Sequence, residues 1–143
     1  MSKQKRTLKV GVREGGGPPP GYEWNVGLID FVCAEAVDVV GQVGYDHLAM
    51  QVRELASQPV PSHSDTVDIR PIEDFFEIRD KGGVFGGANV RLFFGIDKAT
   101  RAIVPLGVIK KQNDGQTPLG TKITMRRRWR KYRSGDYGKL SAK

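Results

Sequence analysis

Apolar and polar residues alternate in four stretches of this chain, and apolar residues recur every third or fourth position in three others. The alternating stretches predict strands. In residues 7–13 Leu8, Val10 and Val12 share one side. An extended arm from residue 66, interrupted by Pro71, leads into a strand from Glu73 to Asp80, in which Phe76 and Ile78 alternate with Glu77 and Arg79. Val90, Leu92, Phe94 and Ile96 then alternate with Arg91 and Phe93, and Asp97–Thr100 predicts a hairpin turn. Ala102, Val104, Leu106 and Val108 follow, with Ile103 and Ile109 opposite. Pro105 lacks a backbone donor, which puts this last strand at an edge or gives it a bulge.

The helical spacings fall in residues 23–40 (Ile29, Val32, Cys33, Ala36, Val37, Val40) and from Tyr45 to Ala56 (Leu48, Ala49, Val52, Leu55). Gly41 to Gly44 separates them, and so short a connection predicts an antiparallel helical hairpin. Pro59 and Pro61 end it. A third helix follows Thr117-Pro118, read as N-cap and first position. Met125, Trp129 and Tyr132 form its apolar stripe, and Gly120 weakens its start. The expected architecture is α+β: a small antiparallel sheet of about four strands, the helical hairpin packed on it, and a basic C-terminal helix. A single domain over residues 1–143 is expected, with a Gly/Pro loop at 14–21 and a flexible tail at 134–143.

Charge sharpens this picture. The net charge is +7, but residues 101–143 carry 12 Lys/Arg against two acids, while residues 1–100 carry 11 against 14. A near-neutral scaffold with one basic end predicts a surface for a polyanion. No apolar run is long enough to span a membrane. The basic N-terminus lacks a following apolar stretch, and the lone Cys33 cannot pair internally, so cytoplasmic residence is expected.

Other chemistries find little footing. The only histidines, His47 and His63, lie sixteen residues apart and form no metal-ligand cluster with Cys33. No metal or cofactor is expected. The glycine-rich stretch Lys81–Ala88 lacks the Gly-Lys-Ser/Thr of a phosphate loop. Glu73, Asp74 and Glu77 read as a solvated strand edge. Cys33 reads as a small buried hydrophobe. What remains is cationic: Arg79, Lys81, Arg91, Lys110, Lys111, Lys122 and the run Arg126–Arg133. RNA cleavage by its own 2′-hydroxyl needs in-line positioning, charge stabilisation at phosphorus and two proton transfers, and cations serve the second need. Trp129, Tyr132 and Tyr137 interleave with arginines, a pattern that serves either base stacking or the helix's own core face.

The series Glu77-Ile78-Arg79, Arg91-Leu92-Phe93-Phe94, Ile109-Lys110-Lys111 and Thr117-Pro118 before a basic helix resembles the RelE/HigB superfamily of toxin–antitoxin toxins, in its phage Gp49-like branch. The resemblance covers residues 73–132, and upstream only the order of elements. It implies a RelE-like fold and metal-independent mRNA cleavage, often on the ribosome, by 2′-hydroxyl attack, with a cognate antitoxin as protein partner. Carried over by position, it implies catalytic roles for Arg79, Arg91, Lys110 and Lys111. Lys81, Lys122, Arg126, Arg127, Arg130 and Tyr132 are the expected RNA-binding residues. Two alternatives stay open: a basic domain that binds RNA or the ribosome without cutting, and a toxin-like inhibitor of a protein such as DNA gyrase.

Overall fold

A computed structural model describes residues 8–10, 20–80, 85, 88–111 and 115–137. The expected features at residues 11–19, Lys81 with most of its glycine-rich turn, residues 112–114 and the tail beyond Tyr137 lie outside the described residues. The elements run β1 (Leu8–Val10), β2 (Asn25–Ile29), α1 (Asp30–Ala56), β3 (Asp68–Pro71), β4 (Phe76–Asp80), β5 (Asn89–Asp97), β6 (Ala102–Lys111) and α2 (Leu119–Arg133). The fold is α+β. The sheet is larger than the expected four strands, with six in the order β1-β2-β6-β5-β4-β3. It is also mixed, because β2 runs parallel to β6 while every other pair is antiparallel.

The region read as one helix from residue 23 divides in two. Asn25–Ile29 is a strand, and the helix starts at Asp30. Val26 and Leu28 already alternate with Asn25 and Gly27, but the helical spacing from Ile29 onward overlaps that shorter pattern. The helical hairpin itself is present. Gly41 breaks α1 with φ 76° and ψ 173°, a backbone conformation suited to glycine. A straight helix of 27 residues would run about 40 Å. Yet the Trp24 amide donates to the Ala56 carbonyl at 2.9 Å, and Trp24 can lie at most about 20 Å from Asp30 along six residues of chain. The second arm must therefore fold back.

Both faces of the sheet are covered. On one, Ile78, Val90, Leu92, Phe94, Ile103 and Val108 pack against Ala36, Leu48, Val52 and Leu55 of α1. On the other, Phe93, Val104 and Leu106 pack against Met125, Trp129 and Tyr132 of α2. Pro105 sits in a central strand, and the register jumps there: Phe93 opposes Gly107, and Phe94 opposes Pro105. The proline is thus accommodated by a bulge. Pro71 lies on the edge strand β3.

Candidate nucleic-acid interface

Helix α2 is positioned by glycines beneath it. A Cβ at Gly95 would strike the Trp129 ring, and one at Gly107 would meet Met125 and the Arg128 guanidinium. With both absent, the helix settles closely over β5 and β6. Its far end is fixed where the Tyr132 phenol donates to Asp97 Oδ2 at 2.7 Å. Trp129 and Tyr132 stack with centroids 5.4 Å apart. Tyr132 is therefore a core residue and not a base-stacking one. Burial, then the Asp97 bond, push its phenol above the ordinary tyrosine range. Tyr137, placed by expectation in a flexible tail, is buried and meets Phe31 edge-on.

The basic run divides by function. Arg128 donates to Glu35 at 2.8 and 3.0 Å and to the Leu106 carbonyl, and lies over Phe31. Arg133 pairs with Asp74 at 2.8 Å. Arg126 grips both oxygens of Glu73. That bond holds the Glu73 carboxyl below its usual range, helped by the charges of Lys122 and Arg130. Arg126, expected to contact RNA, is thus engaged with Glu73 beside the β3–β4 turn, with its side chain still one-third exposed. Arg127, Arg130 and Lys131 are exposed on the outer side of α2 and make no ion pair among the described residues. Leu119 and Ile123 extend this outer side toward the helix start.

Beneath the start of α2 lies a buried polar cluster. Arg79 and Arg91 are directly opposed across β4 and β5, and Glu77 opposes Phe93 on the same face. Glu77 is 0% exposed and Arg91 is 1% exposed, so both charges depend on their partners. The Arg79 guanidinium donates to Glu77, as does the Thr117 hydroxyl. Arg91 donates to the Thr117 hydroxyl at 2.9 Å and to the Gly115 carbonyl. Thr117 is consequently not a helix cap. Pro118 occupies that position, with no side-chain cap bond.

The four expected catalytic cations are not brought together. Arg79, Arg91 and Lys111 share the α2 side of the sheet. Lys110 opposes Val90 and falls on the α1 side, because alternate strand residues point to opposite faces. The Lys111 ammonium donates to the Gln116 carbonyl at 2.6 Å. Two cluster members escaped sequence reasoning. Glu77 alternates with apolar residues as a solvent-facing residue would, and only the return of α2 over that face buries it. Thr117 carried a strong cap signal that concealed its other use.

Cys33 is half-buried, at the wall of a cavity under α1. Among the described residues no three of His, Cys, Asp and Glu gather as a metal-binding group, and no helix is long and apolar enough to cross a membrane. No family model, curated protein or solved structure matches this chain.

Proposed function

We propose that this protein is an RNA-cleaving toxin of the RelE/HigB type, gripping RNA through α2 and acting at the adjoining face of the sheet. The observation that carries this reading is the opposed pair Arg79 and Arg91 beneath a helix whose outer side presents Arg127, Arg130 and Lys131. A chain of phosphates held along the outer side of α2 passes the mouth where Arg79 reaches solvent, its side chain 15% exposed. There Arg79, and Arg91 once uncovered, would stabilise charge on phosphorus during 2′-hydroxyl attack. Glu77 is the carboxylate in this cluster that can take the hydroxyl proton when Thr117 moves off it. Lys111, on the same face, is a further backbone contact, and Lys110 drops out of the catalytic set. mRNA, on or off the ribosome, is the proposed substrate. An acidic antitoxin covering α2 is the proposed protein partner.

A second reading, RNA binding without cleavage, is favoured by one specific observation: Arg91 is sealed by Gly115 and Thr117. The two part in a single experiment. The protein is induced from a tight promoter in bacteria, and growth and new mRNA ends are followed beside Arg79→Ala and Glu77→Gln variants checked for folding. Growth arrest with new ends in the wild type alone supports cleavage at this face. Neither arrest nor new ends, with the protein folded, would leave the non-catalytic reading, and arrest without ends would point to a protein target such as gyrase.

A further inference from the structure

Between α1 and the sheet, on the side away from α2, lies a cavity of about 470 Å³, within the range of roughly 300–1,000 Å³ typical of small-molecule sites. Its walls are mainly apolar and include Val26, Leu28, Val52 and Leu92. Val26 and Leu28 of β2 are half-buried where they line it. Three polar groups accompany these walls. The Tyr45 phenol lies near the Cys33 thiol, and burial first, then that thiol, push the phenol up to about 12. Arg53, exposed, also lines the cavity, close enough for its charge to oppose that shift. Its guanidinium has no ion pair among the described residues.

We infer that this cavity binds a small amphipathic anion, its apolar body between α1 and the sheet and its carboxylate-like head on Arg53. Apolar walls reward a hydrocarbon body in proportion to the area withdrawn from water. A lone cation beside mainly apolar walls selects a negative head through a charge-assisted hydrogen bond. Neither RNA nor the α2 surface enters this inference, so it stands or falls apart from the proposed cleavage.

Decanoate, below its micelle-forming concentration, is the probe, titrated by calorimetry into the full chain with decanol as the neutral counterpart. Saturable 1:1 binding is expected, with a raised Tm. Arg53→Gln should weaken decanoate about tenfold and leave decanol unchanged. Ala49→Leu, which fills the cavity from α1, and Leu28→Phe, which fills it from β2, should each abolish binding while preserving the folded state. Absence of saturable binding to the wild type would overturn the site. So would undiminished binding by both filled variants. Equal affinity for decanol and decanoate would overturn the anionic head.

Discussion

The Arg91 guanidinium donates to the Thr117 hydroxyl at 2.9 Å, and that hydroxyl in turn donates to Glu77. One small side chain thus bridges two buried, opposite charges at the point where the chain enters α2. Thr117→Val keeps the shape but removes both bonds. It should lower stability by about 1–3 kcal/mol in urea unfolding, since both charges are left short of a partner. Thr117→Ser should recover most of the loss. If Thr117→Val unfolds like the wild type, the bridge is not what steadies the cluster.

RNA affinity should depend on the free cations of α2 more than on the engaged ones. Arg127→Gln, Arg130→Gln and Lys131→Gln should each weaken single-stranded RNA binding and reduce the salt slope by roughly 0.7 per residue. Arg128→Gln, whose charge is already met by Glu35, should hardly change the slope, though it should destabilise the fold. Filter binding across a salt series separates these groups. Equal slopes for every variant would move the RNA surface away from α2.

Gly95→Ala should loosen α2. The added methyl group meets the Trp129 ring in a closed interior, and overpacking of this kind typically costs about 1–3 kcal/mol. Near-ultraviolet circular dichroism reports the Trp129–Tyr132 stack directly. An unchanged spectrum and Tm would show that the helix has room to lift.

Two other glycines should respond in opposite directions to alanine. At both Gly41 and Gly120 an added methyl group would point into open space. Gly41, however, holds φ at 76° and ψ at 173°, a region almost confined to glycine, so Gly41→Ala should destabilise by about 1–3 kcal/mol. Gly120 is in α2, and Gly120→Ala should stabilise by up to about 1 kcal/mol. Paired thermal melts give the comparison, and the same sign at both positions would refute it.

Stability should fall in alkali through Tyr132. Its phenol is raised in the folded state, so the fold holds that proton more tightly than the unfolded chain does. This contribution is whole below the unfolded value of about 10 and is lost as pH climbs above it. Tyr132→Phe should cost about 1–2 kcal/mol at neutral pH by removing the Asp97 bond. It should also flatten the alkaline limb of a stability–pH curve. Tyr45, raised in the same direction to about 12, leaves a smaller residual slope.

Much of this fold is legible in side-chain period. The alternation along β5 and β6 separates their two faces, Met125, Trp129 and Tyr132 mark the buried side of α2, and the Gly41–Gly44 interruption marks the reversal in α1. What escapes is whatever a distant element decides. Glu77 looks solvated until α2 returns over it. Lys110 and Lys111 look equivalent until strand register sends them to opposite faces. Arg126 and Arg127 are adjacent in sequence, yet only the first finds an acid, Glu73, far back in the chain. Tyr132 fitted two patterns, and the Asp97 carboxylate decides between them.

The outermost strand β3 has a consequence beyond the single molecule. It presents Asp68, Arg70 and Pro71 exposed along its length, with Asp68 and Arg70 paired to each other. A sheet margin is a template on which another chain can settle as an added strand, and charge and proline are what make such templates poor. On this margin the molecule is guarded against its own copies, so its sheet ends where its own sequence ends it and is not extended from one molecule to the next.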